Sequence, residues 1–509
     1  MKNDTFFIIA AIVFLSVSVW AEEPPEQAWV ARYNGTEDFD DEGRALVVDS
    51  SGNVYVTGFS KDASGTYDDY VTIKYDPNGN QLWATRYDGP VSGDDLAWAL
   101  AIDNSGNVYV TGYSTVGYSY NYDCATIKYD PNGNQLWVAR YNGLGNSMDQ
   151  ARALVIDNRG NVYVTGPSVG SGGDYDYATI KYIPGRFGGI SQLWVARYNG
   201  PGNDFDWASA IALDNLGNVY VTGSSWGSGT QEDCATIKYS PNGNQLWVAR
   251  YNGPANGQDR AYAVAVDNSG NVYVTGYSYG SDTDPDCVTI KYDPNGNQLW
   301  VARYNGPGNS SDETAALAID SSGNVYVTGS SYGAARDCVT IKYDPNGNQL
   351  WVARYSGPGN SNDEAYDLAI DSSGNVYVTG YSVGSDTDID YVTIKYSPNG
   401  NQLWVKRYNG PGNDFDWAWA LAIDNSGNVY VTGGSYDNGT GRDYVTIKYT
   451  QHDYCLGPIT GDFNNDCSVD FTDFAIIAEE WLESRSLADL AEVIEDWLGC
   501  NFAFEEDCF

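Results

Sequence analysis

Short apolar segments alternate with polar turns along most of the chain, and the same pattern returns at regular intervals. Its most constant part, GNVYVTG, recurs every 51 to 57 residues and begins at Gly52, Gly106, Gly160, Gly217, Gly270, Gly323, Gly374 and Gly427. A fixed period of this size indicates a repeat architecture rather than a series of unrelated domains. One period is therefore the structural unit.

Each period contains four segments rich in β-branched and aromatic residues, which predict strands. In the sixth copy these segments are Ala316–Asp320, Asn324–Thr328, Val339–Tyr343 and Leu350–Tyr355. The first two segments carry apolar residues at successive positions, so both faces of each strand are apolar enough to be covered. Sheets that pack face to face need two such faces, whereas a two-layer sandwich leaves one face polar.

Two of the four connections in a period are tight turns. Asp320 to Gly323 and Asp344 to Gly347 each place Asp first and Gly fourth, which favours a type I turn followed by a left-handed glycine. The other two connections are longer and vary between copies. In a four-stranded antiparallel meander, these two variable connections lie at the same edge.

The ends of the repeat region predict a closed ring. The chain enters at Ala28–Tyr33, a lone fourth strand, and the last copy stops at Thr446–Tyr449 without one. Four antiparallel strands per unit, repeated radially, indicate a β-propeller. We predict an all-β, eight-bladed propeller over residues 22–449, in which the N-terminal strand pairs beside Asp443–Tyr449 and removes the exposed sheet edges.

The N-terminus and the charge of the chain bear on its location and partners. Residues 1–21 contain one Lys, an apolar run from Phe6 to Val19 and small residues before Glu22, a pattern typical of a secretory signal peptide. The run is short for a membrane span, and the sequence has no other long apolar stretch. We expect a secreted or cell-surface monomer. A formal net charge of −40 argues against nucleic acid and anionic membranes as partners.

The eight cysteines fall into two groups. Cys124, Cys234, Cys287 and Cys338 share one repeat position, where the other copies carry Tyr. A position that accepts either residue is a packing position, so we predict buried free thiols. The second group lies in the C-terminal tail, where an exported protein could form two disulfides with three possible connectivities; its members are Cys455, Cys467, Cys500 and Cys508.

Residues 450–460 break the repeat and are predicted to be a linker to a small module over residues 461–509. Oxygen-bearing side chains follow at positions 1, 3, 5, 7, 9 and 12 of a loop that leads into an amphipathic helix: Asp462, Asn464, Asp466, Ser468, Asp470 and Asp473. Ca²⁺ takes six or more oxygen ligands from a chain that wraps around it, and this spacing supplies them. The alternative is an acidic loop that caps the helix without metal.

The same segment, GDFNNDCSVDFTDFAIIAEEWL from Gly461 to Leu482, resembles a type I dockerin module. Such modules usually duplicate the loop and helix, and Ala488–Leu498 echoes the first helix, but only Asp489 matches the ligand series before it. The resemblance therefore implies one Ca²⁺ site and docking to a cohesin-like partner. The repeats resemble the bacterial β-propeller repeat family called SBBP, whose name implies seven blades, whereas the sequence gives a count of eight.

The composition of the ring excludes several chemistries. His452, the single histidine of the chain, lies in the linker, so triads with a His base and His-ligated metals in the ring are excluded. The sequence has no P-loop or dinucleotide fingerprint. Hydrolysis by a carboxylate pair is compatible with the many acids, but no pair that breaks the repeat symmetry stands out.

Two aspartates recur in every copy at the edge of the variable connections. The first set precedes the innermost strand by four residues and comprises Asp41, Asp95, Asp149, Asp206, Asp259, Asp312, Asp363 and Asp416. The second precedes the third strand and comprises Asp69, Asp123, Asp176, Asp233, Asp286, Asp337, Asp390 and Asp443. Residues identical in every blade are expected to bind backbone N–H groups of their own loops; the alternative is a cation-lined channel mouth.

Positions that differ between copies are better candidates for binding an asymmetric ligand. Three residues after the first Asp, the chain reads Arg44, Trp98, Arg152, Ser209, Tyr262, Ala315, Tyr366 and Trp419, and Trp207 and Trp417 directly follow two of these Asp residues. Aromatic and Arg side chains at the mouth of a ring can stack on sugar faces and bond hydroxyl groups. We predict a ligand-binding rim from Arg44, Trp98, Arg152, Trp207, Tyr262, Tyr366, Trp417 and Trp419. The alternative is that they fill the top layer of blade packing.

The sequence therefore favours an exported, non-catalytic propeller that binds extracellular polysaccharide and carries a calcium-binding tail for attachment to a partner. Polysaccharide is preferred because of the aromatic rim and because the dockerin resemblance implies company with carbohydrate-degrading enzymes. One alternative is a glycoside hydrolase or lyase in polysaccharide catabolism. Another is a purely structural surface protein.

Overall fold

A computed structural model describes residues 24–451, apart from residues 36–37, 118–120, 186–187, 281–283, 386–387 and 440. The chain divides into two units after Thr450, and every strand that the structure describes belongs to the first unit. The predicted signal peptide and the predicted dockerin-like module, with its calcium ligands and tail cysteines, lie outside the described residues.

The described residues form 32 strands and no helix. The described part of the chain thus contains no helix long and apolar enough to cross a membrane. The innermost strands are β2 (Asp41–Val48), β6 (Asp95–Ile102), β10 (Ala153–Ile156), β14 (Asp206–Leu213), β18 (Asp259–Val266), β22 (Asp312–Ile319), β26 (Asp363–Ile370) and β30 (Asp416–Ile423). The second strands are β3 (Val54–Lys61), β7 (Val108–Thr115), β11 (Val162–Val169), β15 (Val219–Trp226), β19 (Val272–Tyr279), β23 (Val325–Tyr332), β27 (Val376–Val383) and β31 (Val429–Tyr436).

The third strands are β4 (Asp68–Tyr75), β8 (Tyr122–Tyr129), β12 (Tyr175–Pro184), β16 (Glu232–Tyr239), β20 (Pro285–Tyr292), β24 (Arg336–Tyr343), β28 (Ile389–Tyr396) and β32 (Arg442–Thr450). The outer strands are β5 (Gln81–Tyr87), β9 (Gln135–Tyr141), β13 (Ile190–Tyr198), β17 (Gln245–Tyr251), β21 (Gln298–Tyr304), β25 (Gln349–Tyr355), β29 (Gln402–Tyr408) and β1 (Glu26–Tyr33).

These strands form eight antiparallel four-stranded sheets, which confirms the predicted eight-bladed propeller. Blade 1 contains β2 to β5, and blades 2 to 7 follow in chain order. Blade 8 has the strand order β1-β32-β31-β30, with Val30 opposite Ile447. The prediction that the N-terminal strand completes the last blade is confirmed.

The strands extend further than the apolar segments that predicted them. The innermost strand of blade 6 begins at Asp312 rather than at Ala316, because Asp312 pairs with Ser331 at the end of β23. The end of β23, Gly329–Tyr332, pairs in turn with the start of β24. Asp312 and Gly329 belong to residue types with low β-propensity, and ladder pairing with their neighbours extends the strands through them.

The tight turns have the predicted geometry. Gly323 and Gly347 adopt φ values of 80° and 86°, a conformation that glycine reaches without a steric cost. In the first of these turns the Asp320 carboxylate accepts the backbone N–H groups of Ser322 and Asn324, both at 2.9 Å. The short connections therefore lie at one edge of the ring and the variable connections at the other.

The core lies between blades. Tyr326 of blade 6 packs with Leu368, Val376 and Ile394 of blade 7 in one cluster of buried side chains, and similar clusters fill the other seams. This arrangement confirms that both faces of a blade are covered. Cys124, Cys234, Cys287 and Cys338 are buried free thiols, as predicted.

An arginine of each outer strand joins three strands of its own blade to the preceding blade, an arrangement we call the clasp. Arg250 is 2.7 Å from the Asp233 carboxylate and donates to the Ser225 hydroxyl and to the Tyr198 hydroxyl of blade 3, at 2.6 and 2.8 Å. All eight second-set aspartates form this ion pair, with Arg86, Arg140, Arg197, Arg250, Arg303, Arg354, Arg407 and Arg32 in chain order of the aspartates. The second Asp set is therefore structural, but its partners are arginine side chains, whereas the sequence predicted backbone N–H groups.

Candidate functional site

The predicted rim position has a special backbone geometry. In blade 4, Ala208 lies opposite Gly223 and Ala210 lies opposite Thr222, so Ser209 has no partner and forms a β-bulge. The same register shift occurs at Arg44, Trp98, Tyr262, Ala315, Tyr366 and Trp419. In blade 3, Arg152 directly precedes the short strand β10. Bulges re-aim side chains, often beside functional sites, and here each blade presents its variable residue at the channel mouth.

Five of these residues contact one another in a row that we call the collar: Tyr366, Trp419, Arg44, Trp98 and Arg152. Tyr366 stacks on Trp419 with ring centroids 4.5 Å apart. The Arg44 guanidinium lies 4.5 Å from the Trp419 ring and 4.9 Å from the Trp98 ring. The Arg152 guanidinium lies over the Trp98 ring, 4.3 Å from its centroid, and ends the row. Each contact is an aromatic or cation–π pair of the kind that stabilises half-buried side chains.

The collar changes the interpretation of the predicted rim. Its residues use their aromatic faces and guanidinium groups on each other, which favours the packing alternative for Tyr366, Trp419, Arg44 and Trp98. Arg152, at the end of the row, also lines the cavity described below. Tyr262 lies apart from this row and forms a tilted ring pair with Tyr277, with 5.9 Å between centroids. Trp417 packs beneath Arg442, 4.9 Å away. Trp207 adjoins the end of the collar, 5.1 Å from Arg152.

The collar is interrupted where the bulge residue is small, at Ser209 in blade 4 and at Ala315 in blade 6. At Ser209 the mouth opens into a cavity of about 530 Å³, which we call the blade 4 cavity. This volume lies within the range of small-molecule sites in proteins. The cavity is lined by Arg152, Tyr175, Phe205, Trp207, Ser209, Ser224, Glu232, Arg260 and Tyr262.

One wall of the blade 4 cavity is aromatic. The Tyr175 ring centroid lies 5.8 Å from that of Phe205 and 5.5 Å from that of Trp207. Phe205 is 48% exposed although it is a large apolar residue. An exposed aromatic cluster beside a cavity offers apolar faces on which a flat ligand or a sugar ring can stack.

The remaining walls carry polar groups. Arg260 approaches the buried Glu232 with 2.5 Å between Nε and a carboxylate oxygen, while Arg152 donates to the Gln150 side chain at 2.8 Å. Burial lowers the pKa of Arg152 to about 10, so its guanidinium stays protonated at neutral pH. The cavity thus combines stacking surfaces with a few convergent hydrogen-bonding groups.

The second interruption, at Ala315, gives a smaller cavity of about 120 Å³. Arg336 lies there between Glu313 and Glu364, with 2.5 Å from a guanidinium nitrogen to Glu313 and an ion pair to Glu364. The second oxygen of Glu364 accepts the Tyr366 hydroxyl at 3.1 Å. These two glutamates form a carboxylate pair that breaks the repeat symmetry, which sequence reasoning missed.

Blade 8 shows the mouth in its filled form. Residues 203–208 and 413–418 share the sequence NDFDWA, but the bulge residue that follows is Ser209 in blade 4 and Trp419 in blade 8. The Trp419 indole N–H donates to the buried Glu42 carboxylate at 2.5 Å. Glu42 also pairs with Arg44 and Arg442 at 2.8 and 2.7 Å. The identity of one bulge residue therefore distinguishes an open sector from a closed one.

The first set of aspartates is structural, as expected. Asp206 accepts the backbone N–H groups of Gly200 at 2.6 Å and Trp226 at 3.1 Å. The corresponding Asp in each blade accepts the equivalent glycine N–H. Burial raises the pKa of Asp206 to about 6 and that of Asp95 to about 7.

One acidic group among the described residues has oxygens close enough to be considered for a metal. Asp69, Asp88 and Asp95 each place one carboxylate oxygen within 4.8 Å of the others. Asp69 already pairs with Arg86 at 2.7 Å, and Asp95 accepts two backbone N–H groups. These existing partners account for the arrangement without an ion.

Sequence reasoning missed the seam residues that shape the mouth. The residue before the second Asp of one blade contacts the residue after the first Asp of the next blade. Four seams show this rule, in the pairs Tyr175 with Trp207, Glu232 with Arg260, Arg336 with Glu364 and Arg442 with Glu42. Both positions vary between copies, and this shared variability is the signal that would have found them.

Comparison with known proteins supports the repeat assignment. The model of the family described as SBBP, beta-propeller repeat, matches residues 193–229, 247–282, 299–334 and 350–386. An uncharacterized WD repeat-containing protein of Acanthamoeba polyphaga mimivirus is 25% identical over 482 residues, which cover 77% of this chain and 33% of that protein. The chain thus spans about a third of the length of that relative.

Several solved structures show a distant similarity to this chain. The periplasmic gluconolactonase of Pseudomonas aeruginosa has a TM-score of 0.43 and 13% identity, covering 71% of this chain and 98% of that chain. A polysaccharide lyase named as an ulvan lyase has a TM-score of 0.41 and 11% identity, covering 74% and 95%. The propeller domain of the Trilobed protease from Pyrococcus furiosus has a TM-score of 0.41 and 8% identity, covering 75% and 96%.

Proposed function

We propose that this protein is a secreted, non-catalytic binding propeller that engages extracellular polysaccharide through the blade 4 cavity. The observation that carries the proposal is the open sector at Ser209, where the collar ends and a cavity of about 530 Å³ with an aromatic wall begins. Sugar rings present apolar faces to aromatic side chains and hydroxyl groups to polar ones. Trp207, Phe205 and Tyr175 supply the first kind of contact, and Glu232, Arg260 and Ser224 the second.

The location of the site also supports binding of an extended ligand. The cavity opens at the edge of the variable connections, so a chain longer than one sugar can continue across the mouth. The second opening, at Ala315, is much smaller, at about 120 Å³. A polysaccharide would therefore contribute one or two units to the cavity while its neighbours stay at the surface.

Export and attachment to a partner are part of the same proposal and rest on the sequence. The signal-like residues 1–21 support secretion. The loop from Asp462 to Asp473 supports one Ca²⁺ site in a dockerin-like tail. A cohesin-like protein is the corresponding candidate partner.

A glycoside hydrolase or lyase is the second candidate, because Glu313 and Glu364 form a symmetry-breaking carboxylate pair. Their chemistry favours a structural role. Both bind the Arg336 guanidinium, and both oxygens of Glu364 are engaged. The adjacent cavity of about 120 Å³ is also smaller than a typical ligand site.

A polysaccharide screen with the full-length protein separates these functions. Immobilised neutral and acidic polysaccharides are incubated with the protein, with and without Ca²⁺, and both retention and release of soluble sugar are measured. Retention without release is expected. Release of oligosaccharide would establish the enzyme instead, and neither retention nor release would favour a purely structural role.

A matched pair of substitutions tests whether binding occurs in blade 4. Phe205 and Phe415 occupy the same position in blades 4 and 8 and are 48% and 43% exposed. Phe205→Ala is expected to weaken binding about tenfold, which corresponds to about 1.4 kcal/mol, because it removes part of the stacking wall. Phe415→Ala should leave binding unchanged, since blade 8 has no open sector. If a binding titration shows that both substitutions weaken polysaccharide affinity equally, the blade 4 cavity is not the binding site.

A further inference from the structure

Arg152 differs from the other arginines at the mouth in having no carboxylate partner. Besides the clasp arginines, five arginines of the described residues lie at this edge, and four of them pair with a carboxylate: Arg44 and Arg442 with Glu42, Arg260 with Glu232, and Arg336 with Glu313 and Glu364. Among the described residues, Arg152 has no ion pair. Of the arginines that the structure describes at the mouth, Arg152 is therefore the one whose charge has no carboxylate partner.

The Arg152 guanidinium is partly buried, so the missing carboxylate partner has an energetic cost. Its guanidinium is held between the Trp98 and Trp207 rings, at 4.3 and 5.1 Å from their centroids, and one nitrogen donates to the neutral Gln150 amide at 2.8 Å. Its Nε is buried and has no hydrogen-bond partner. A partly buried cation that lacks an anion is costly unless a partner supplies the charge.

Arg152 also lines the blade 4 cavity directly. Two rings hold its guanidinium in place, so little side-chain entropy is lost when an anion binds. Its planar fork of N–H donors matches the oxygens of a carboxylate or a sulfate in paired hydrogen bonds. The aromatic wall formed by Tyr175, Phe205 and Trp207 lies in the same cavity and can hold the ring to which such an anion is attached.

We propose that the blade 4 cavity selects an acidic sugar, whose carboxylate or sulfate ester pairs with Arg152 while its ring stacks on the aromatic wall. This inference rests on the proposed function and specifies its ligand class. The net charge of −40 opposes it only weakly at contact, because charges farther apart than about 8 Å are largely screened at physiological salt. The ligand's carboxylate or sulfate contacts Arg152 directly and supplies the counterion that the protein does not provide.

The test compares acidic and neutral forms of the same sugars. The full-length protein is titrated calorimetrically with tetragalacturonate, with its methyl ester, with a sulfated galactan oligosaccharide and with its desulfated form. We expect one acidic form to bind at least tenfold more tightly than its neutral counterpart. Preference for galacturonate identifies a carboxylate ligand, and preference for the sulfated oligosaccharide identifies a sulfate ester.

Variants assign the preference to one side chain. Arg152→Gln should reduce binding of the acidic form to that of its neutral counterpart, and Arg152→Lys should restore part of the difference because it keeps the charge. Arg159→Gln is the matched control, since Arg159 is exposed in the tight turn at the opposite edge of blade 3. This control should retain the full preference.

Two results would overturn the inference. If the neutral forms bind as tightly as the acidic ones, the inference fails while the proposed function stands, and this comparison needs only the unaltered protein. If a folded Arg152→Gln variant keeps the preference, Arg152 is not the residue responsible. Absence of binding to all four sugars, together with failure to retain any polysaccharide in the screen, would overturn both the inference and the proposed function.

Discussion

At the scale of single residues, the departures from the repeat are more informative than the repeat itself. The residue after the bulge is Ala in seven blades, namely Ala45, Ala99, Ala153, Ala210, Ala263, Ala316 and Ala420, but it is Asp367 in blade 7. The Asp367 carboxylate accepts the backbone N–H groups of Leu368 and of Leu421 in blade 8, both at 2.9 Å. Burial raises its pKa to about 6.

Replacing Asp367 by the Ala of the other blades should stabilise the protein at high pH. A carboxyl whose pKa is raised in the folded state favours folding in its protonated form, so this contribution is present below the unfolded pKa of about 3.9 and is lost as pH rises through about 6. Asp367→Ala removes that loss. We expect a gain of about 1–3 kcal/mol in the free energy of unfolding at pH 8 and no gain at about pH 4, measured by urea denaturation.

An exposed carboxylate provides the control for this prediction. Asp38→Ala changes the net charge equally but removes an exposed side chain, so it should alter stability little at either pH. The account of Asp367 would be wrong if Asp367→Ala were no more stable than the parent at pH 8, or if its gain were the same at both pH values.

At the scale of elements, the clasp fixes how each blade meets its predecessor. The clasp arginine contacts the Asp of the third strand, the Ser of the second strand and the outer-strand Tyr of the preceding blade. Charge-assisted hydrogen bonds of this kind are stronger than neutral ones. The same residues recur in every blade because every seam needs the same connection.

Removing one clasp arginine should destabilise the ring substantially. Arg250→Met leaves the buried Asp233 carboxylate without its cation and removes the bond to Tyr198. Breaking a buried pair costs about 3–5 kcal/mol. The Arg250 side chain is 20% exposed, so solvent screening reduces the expected loss to about 2–4 kcal/mol. Arg159→Met, in an exposed turn, should change unfolding free energy by about 0.5 kcal/mol or less, and an equal effect of both variants would refute the role of the clasp.

The sequence predicts the existence and order of the strands better than their ends. Apolar segments such as Ala316–Asp320 and Val339–Tyr343 have a clear pattern, whereas the Gly329–Tyr332 segment has none and becomes a strand only by pairing. The bulge at Ser209 is equally hidden, because register depends on two strands at once and not on the local sequence. The sequence therefore shows that the position of Ser209 varies between blades, but it does not show that this position forms a bulge.

At the scale of the whole molecule, ring closure depends on one strand that is distant in sequence from its partners. Trp29 of β1 donates to the Pro77 carbonyl of blade 1 at 3.0 Å, and Arg32 pairs with Asp443 of blade 8 at 3.1 Å. β1 therefore completes blade 8 and also contacts blade 1. Without it, β32 would become an exposed edge strand.

Deletion of β1 tests this closure. A chain that lacks residues 24–33 should unfold at a much lower temperature or aggregate, because it loses one strand, one clasp and the contact with blade 1. A chain that lacks only residues 1–23 keeps all three and is the control. Equal melting temperatures and equal solubility of the two chains would contradict closure by β1.

The ring also explains how much of the site the sequence could reveal. The sequence shows that Ser209 and Ala315 are small residues at a position that is otherwise large. It does not show that they open cavities at the mouth. Pairs such as Glu232 with Arg260 join neighbouring blades, so they can be found only once the order of blades and the facing positions are known. The sequence therefore predicts a variable mouth, and the structure shows which sector of it is open.

The most direct test of the account fills that sector. Ser209→Trp places in blade 4 the residue that blade 8 carries at Trp419, while Ala315→Trp fills the smaller opening as a matched control. Affinity for the saccharide retained in the screen is measured for both by calorimetry. The account predicts at least a tenfold loss, about 1.4 kcal/mol, for Ser209→Trp and no loss for Ala315→Trp. Unchanged affinity of a folded Ser209→Trp variant would contradict binding in the blade 4 cavity.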